Sequence, residues 1–458
     1  MSDCSTKQGV LFESLFAKPL LASFDQSHSS SEGGAILLKA CDRRLGLLAA
    51  IASCLRDTRS PEKTRHSLRE LVEQRVYGMA CGYEDCNDAA RLSRDPIQRL
   101  LLRRDPIEGE ALASQPTLSR FENAMDARSL LRLGHAIAER VIERHRRRLG
   151  GRARRITIDL DPTDDPTHGG QQLALFNGYY GRWCYVPLAC FLQFDDEADQ
   201  YLFAYVLRPG DAPATQGAVG ILRRVIRRLR KAFPRAVIRV RLDGGFATPE
   251  VLDFLDGQGV EYVVAMAKNA VLKEAAEPLL AQVRRLSEES GESERLYGEC
   301  RYEAGSWDGE RRVVFKAEVV RHGGREAKDN PRFVVTNLRT SPRHVYEDVY
   351  CQRAVIENRI KELLHGLHID RTSCTRFFAN QFRVLLATAA YVLLQELRLK
   401  ARHTGFAHAQ VNTLRERLLK MAVWVERSTR RLVLHLPRSA PWRSEWCRIA
   451  RALGAVPV

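Results

Sequence analysis

Up to about residue 140 the apolar residues recur at helical spacing, and at Arg155 that spacing gives way to strict alternation. In Arg155-Ile-Thr-Ile-Asp-Leu-Asp161, the residues Ile156, Ile158 and Leu160 face one side while Thr157, Asp159 and Asp161 face the other. A change of period from 3.6 to 2 within one chain predicts an α/β protein. A strand that ends in carboxylates on one face is unusual, because like charges repel there unless a cation lies between them.

The segments after this strand fit an α/β order. Beyond the turn PTDDPTHGG come two β-rich runs, 182–194 and 200–207, so three successive strands predict an antiparallel meander. A helix over 214–233 then crosses to a strand at 236–242 that stops at Asp243-Gly244-Gly245. A helix between strands implies a right-handed crossover into a parallel neighbour, which places Asp243 at a carboxyl end, where α/β sheets collect ligands. A helix at 251–257 and a strand at 261–267 continue the pattern. From 268 to 332 the sequence is charged, alternating and turn-rich, which predicts a β-rich insertion, and 333–337 reads as a strand. The run 382–397 is a strongly apolar buried helix, and a further helix and a late strand at 431–436 come after it.

Before the switch, Leu37, Leu38, Leu45, Leu48 and Ile51 keep helical spacing, and Pro61 and Pro116 suit first helical turns. The N-terminal segment is therefore mostly helical; a DNA-binding domain and a plain helical bundle both fit. Lys and Arg number 72 against 56 Asp and Glu, a net charge of +16, which points to a polyanionic partner. The surplus is clustered: 144–155 holds seven arginines and no acid, and 220–241 holds nine Lys or Arg and no acid. One-sign runs favour phosphate contact over a solvated helix face, where signs alternate. The eleven cysteines are scattered, with no zinc-type spacing around Cys81 and Cys86. Without a signal-like start or an unbroken apolar span, the expectation is a reduced, soluble, cytoplasmic protein with no membrane partner.

The stretch 346–366 reads as one amphipathic helix. Val349, Ile356, Ile360, Leu363 and Leu367 form an apolar stripe, and Tyr350, Arg353, Glu357 and Lys361 line up beside it. Glu357 borders the core, where a carboxylate pairs, binds a metal or raises its pKa; a solvated ladder with Arg353 and Lys361 is the plainer reading. Asp161, Asp243 and Glu357 come from three distant segments beside arginine runs. Together they match a site for two divalent ions acting on a phosphodiester. Asp159, Asp164 and Asp165 compete with Asp161, which is favoured by its place at the strand end with Thr163 two residues on. His168 reads as a loop residue.

These residues carry a resemblance. Asp161-Pro-Thr163 resembles the D-x-T at the first catalytic aspartate of bacterial insertion-sequence DDE transposases, and Tyr350-x2-Arg353-x3-Glu357 resembles the Y-x2-R-x3-E signature of a cut-and-paste group. RLDGGF around Asp243, ASQPTLSRFEN and DPTHGGQQLALFNGYYG are similar to the same group, so the likeness runs over about residues 35–440. Where the signature carries a lysine seven residues after the glutamate, this chain has Leu364, and its nearest lysine is Lys361.

The resemblance implies a ribonuclease H-like catalytic core in two parts, 150–267 and 333–400, split by the insertion 268–332. A helical DNA-binding domain at 1–145 precedes it, and a helical and strand extension at 401–458 comes after it. The resemblance also implies Asp161, Asp243 and Glu357 as catalytic residues and ligands of two Mg2+ ions, or Mn2+. Cleavage at terminal inverted repeats, strand transfer into target double-stranded DNA and a homodimer on DNA belong to the same expectation. A silent DNA-binding derivative and a structure-specific nuclease are the alternatives. Tyr350, Arg353 and Lys361 would contact phosphate, as would Arg223, Arg224, Arg227 and Arg228. Related transposases form a DNA hairpin, which requires a base to leave the stack; a Trp307 pushed outwards by the turn 305–309 would receive it, and a Trp307 packed on the insertion's own sheet is the alternative reading.

Overall fold

The structure, a computed structural model, describes residues 9–322 and 326–457. Its centre is a mixed sheet. Strand β1 (Arg155–Pro162) pairs antiparallel with β2 (Leu188–Phe194), and β2 with β3 (Tyr201–Val206). On the other side of β1, β4 (Val237–Leu242) runs parallel to it, and β5 (Glu261–Met266) parallel to β4. Beyond these, β8 (Arg332–Thr336), β7 (Arg311–Val320) and β6 (Glu294–Tyr302) extend the sheet, in the order β6-β7-β8-β5-β4-β1-β2-β3.

Helix α1 (Ala127–Arg148) packs on β3 and on α2 (Ala218–Ala232), the crossover between β3 and β4. Helix α3 (Pro249–Gln258) joins β4 to β5. Ala218, Leu222, Val225, Ile226 and Leu229 bury one face of α2, which leaves its arginines on the other.

Two expectations change. The stretch 268–332 opens with the 21-residue helix α4 (Ala270–Ser290). Its buried residues Leu272, Ala276, Leu280, Val283 and Ser287 keep helical spacing, obscured in the sequence by interleaved charges and by Pro278. The strands after α4 join the central sheet instead of forming a module of their own.

The stretch 346–366 is not one helix. A π-helical turn at His344–Tyr350 and a 3-10 turn at Cys351–Arg353 precede α5 (Ala354–Leu367). Val345, Tyr346 and Val349 pack against Val263, Val314 and Val334 of the sheet, and Arg241 Nη1 donates to the Val349 carbonyl at 3.2 Å. Tertiary contacts thus set the local winding, and such π turns often mark functional sites.

Helix α6 (Phe377–Lys400) is long and apolar enough to cross a membrane, yet 89% of its most apolar window is buried within the fold. Helices between Ile36 and Asn123 and α1 wrap it, so one apolar cluster extends from Ala35 to Leu453. The N-terminal segment, expected as a separate domain, therefore shares the core of the sheet. The two ends of the chain also meet, since Ser29–Ser30 pairs with Val423–Arg427.

Candidate active site

The parallel pairing of β1 and β4 places Asp159 opposite Arg241. Two residues further on, the pleat returns to the same face, and there Asp161 and Asp243 stand at the carboxyl ends of the two strands. The result is two charged layers on one side of the sheet.

The inner layer is closed. Arg241 Nε and Nη2 donate to the two oxygens of Asp159, each at 2.7 Å, and Gln200 Nε2 donates to Asp159 Oδ2 at 2.8 Å. Arg241 Nη2 also reaches Gln193 Oε1 at 2.8 Å, and both charged residues are buried. A bidentate pair with its remaining valences met is a structural tie. Asp159, the rival of Asp161, is consumed in it.

The outer layer is open. Arg353 Nη2 donates to Asp161 Oδ1 at 2.5 Å and lies 3.6 Å from Asp243 Oδ2. Asp243 Oδ1 accepts from the Gly245 N–H at 2.9 Å, which fixes the carboxylate at the start of a 3-10 turn. Glu357, exposed in the first turn of α5, has no ion-pair partner among the described residues, and Lys361 is likewise exposed. The ladder Arg353-Glu357-Lys361 does not form, because Arg353 turns to the strand ends instead.

One guanidinium therefore serves two carboxylates, and a third, Glu357, is near enough for its charge to reach Asp161. Burial pushes the Asp161 carboxyl up to about 7 against the pull of Arg353, and the charges of Asp243 and Glu357 add to the rise. Arg353 Nε is buried with no acceptor, so one donor of its fork is unspent.

An all-oxygen donor set with surplus negative charge fits hard divalent cations. Among the described residues, however, no three acidic, His or Cys side chains stand close enough to hold an ion, since Arg353 lies between Asp161 and Asp243.

Other expected residues fall elsewhere. Asp165 is buried and accepts from Thr372 Oγ1 with both oxygens, Asp164 lies 3.6 Å from Arg182, and His168 is exposed. Tyr350 is half-buried beside Arg353, and burial raises its pKa. Arg223, Arg224, Arg227 and Arg228 lie along α2; Arg223 stands over the Phe254 ring at 5.4 Å and Arg228 pairs with Glu139 at 2.7 Å. No ion pair links them to the three carboxylates among the described residues.

Trp307 does not face outwards: it is 7% exposed, stands edge-on to Tyr302 at 5.4 Å and carries Arg311 over its ring at 5.0 Å. Arg311 is held in turn by Asp253 and Asp256 of α3, which draws the turn back onto the core.

Two residues missed in the sequence position the site. Arg241 ties β1, β2, β4 and the π turn together, and its place two residues before Asp243, matching Asp159 before Asp161, is the signal that could have found it. Glu362 anchors α5: it accepts from Tyr391 Oη at 2.7 Å, Arg398 Nη1 at 2.8 Å and the Val411 N–H at 2.9 Å. Those partners are too distant in sequence to have been anticipated.

Compared with known families, the chain matches the family model described as "Transposase DDE domain group 1" over residues 12–457. No curated protein matches it.

Proposed function

From the premise that this chain belongs to the DDE transposase family, group 1, we propose that it cuts DNA at the terminal inverted repeats of an insertion sequence and joins the freed ends to target DNA. The observation that carries this reading is the outer layer, where Asp161, Asp243 and Glu357 are left with one guanidinium among them. The strand order β3-β2-β1-β4-β5, a meander with two parallel additions, supports a ribonuclease H-like core.

Asp161, Asp243 and Glu357 would hold two Mg2+ ions, with Mn2+ as a substitute. Bound there, divalent ions supply activation of the attacking oxygen and stabilisation of the leaving one during in-line displacement. The chain's own residues do the rest. Arg241 and Asp159 hold the two strand ends in register, and the π turn brings Tyr350 and Arg353 to the same edge. Arg353, once its carboxylate partners are otherwise engaged, presents a planar fork to a phosphate oxygen. Cleavage by water leaves a 3′-hydroxyl, and that hydroxyl attacks a second phosphodiester. Two ends joined in one event require two copies of the chain on DNA.

The test uses duplexes carrying the repeat that flanks the reading frame, with Mg2+, Mn2+ or chelator. Metal-dependent release of a 3′-hydroxyl at the repeat, and then joining to a second duplex, is expected. Binding without cutting would identify a silent derivative. Cutting by DNA shape regardless of sequence, without joining, would identify a nuclease.

A further inference from the structure

Directly beyond Asp161 the chain builds a small antiparallel finger. Leu175–Asn177 pairs with Arg182–Tyr185, placing Phe176 opposite Trp183, and Asp165–Pro166 pairs with the other edge of that same central strand. The Thr167 N–H donates to the Trp183 carbonyl at 3.1 Å. The finger is thus laced to residues four to six positions after the catalytic-strand aspartate.

Its tip, Gly178-Tyr179-Tyr180-Gly181, is held by Asn177. The Asn177 Oδ1 accepts from the N–H groups of Tyr179 at 3.0 Å and Tyr180 at 3.2 Å, and Asn177 Nδ2 donates to the Gly210 carbonyl at 2.7 Å. Gly181 closes the turn at φ 65°, where a side chain would be strained.

A turn braced this well presents its aromatics badly for a free monomer. Tyr179 is 90% exposed, Trp183 59% and Phe176 56%. Tyr180 faces the other way, packing on Cys184, Val186 and Ala212, and the charges of Asp164, Asp161 and Asp243 reach its hydroxyl. Tyr179 stands edge-on to Tyr180 at 5.0 Å, and Phe176 edge-on to Trp183 at 6.4 Å. Arg182, half-exposed, lies between Tyr180 and Trp183 in sequence and 3.6 Å from Asp164. Exposed rings on a rigid tip beside a phosphodiester-cutting site suit one occupant, a nucleobase, because every base offers a π face and the neighbouring arginine suits its phosphate.

We propose that Tyr179, with the Phe176–Trp183 pair behind it, stacks on an unpaired base of the DNA strand beside the cleaved bond, and that Arg182 holds the adjoining phosphate. These are positioning residues, and the assignment rests on the DNA-cutting reading above. It moves the stacking surface from Trp307, which is core, to a finger attached to the Asp161 strand.

The experiment measures cleavage by the full-length protein on repeat-end duplexes, intact or bearing a single abasic nucleotide at each position around the cut. Tyr179→Ala should slow cleavage of the intact duplex by about five- to a hundredfold. Tyr179→Phe should stay within about twofold, since the ring and its stacking are retained. At one abasic position the wild type should slow to the rate of Tyr179→Ala, and the substitution should then have no further effect. Trp183→Ala should behave alike, with the melting temperature of each variant unchanged.

Equal losses on every abasic duplex, a loss in Tyr179→Phe as large as in Tyr179→Ala, or no loss at all would overturn the proposal while leaving the cutting activity standing. A change of oligomeric state with cleavage intact would mark the finger as a protein-docking surface and overturn it too. Wild type that neither binds nor cuts any of these duplexes would overturn the functional reading, and this proposal with it.

Discussion

The inner and outer charge layers each begin from an aspartate of β1, two residues apart, set against a guanidinium, and have opposite fates. In the inner layer one carboxylate meets one guanidinium, both are buried, and a glutamine on each side completes the hydrogen bonding. In the outer layer Arg353 is shared by Asp161 and Asp243 with Glu357 nearby, and the Asp161 carboxyl rises to about 7. Charge balance, more than the presence of acids, separates a strut from a site. The strut also makes the site possible, because the tie between Asp159 and Arg241 fixes the strand ends from which Asp161 and Asp243 project.

The largest effect should come from the outer layer. Asp161→Asn, Asp243→Asn and Glu357→Gln should each lower DNA cleavage about a thousandfold or more, since metal-borne stabilisation is worth several kcal/mol and each 1.36 kcal/mol is a decade. Binding to repeat ends should persist, as measured by gel shift. If Asp159→Asn lost cleavage with normal folding while Asp161→Asn kept it, the two layers would have to exchange roles.

Next is the inner layer. Asp159→Asn leaves the buried Arg241 charge uncompensated and should destabilise the fold by roughly 3–5 kcal/mol, read as a lowered melting temperature. Replacing both residues by apolar side chains of similar volume should be much milder, and a double-mutant cycle would isolate the pair. No loss of stability in Asp159→Asn would break the contrast.

A smaller effect concerns pH without divalent ions. Between the ordinary aspartate value near 4 and about 7, folded Asp161 keeps a proton that the unfolded chain has released, so stability falls as pH rises through that window. The contribution is on the order of a few kcal/mol. Asp161→Asn should flatten this slope and melt higher than wild type at pH 7 to 8 in chelator. Added Mg2+ should raise the wild-type melting temperature but not that of the variant. A wild-type slope unchanged by the substitution would show that the outer layer is charge-balanced after all.

The smallest effect lies outside both layers. Replacing Arg223, Arg224, Arg227 and Arg228 by Ala should reduce the salt dependence of DNA affinity by about 0.9 in log–log slope for each phosphate no longer neutralised. Arg223 is stacked on Phe254 and Arg228 is paired with Glu139, so Arg224 and Arg227 should account for most of the change. An unchanged slope would make α2 a solvated face.

Alternation at 155–161, the helix before Val237 and the apolar spacing of α6 are local patterns, and from them the meander, the parallel crossover and the buried central helix were legible in the sequence alone. The placement of Asp161 and Asp243 at strand ends was legible too, because strand ends arise from the same periodicities. What lay beyond reach depends on partners far apart in the chain. Whether Asp159 or Asp161 is free depends on Arg241, and the course of 344–353 depends on valines from three strands and on that same arginine. The orientation of Trp307 depends on Arg311 and two acids of α3. In the sequence Arg353 has Glu357 as a helical neighbour, but in the fold two strand-end aspartates draw it away. Periodicity fixes which face a residue takes; only the tertiary structure decides which charges meet there, because ion pairing is set by distance in space.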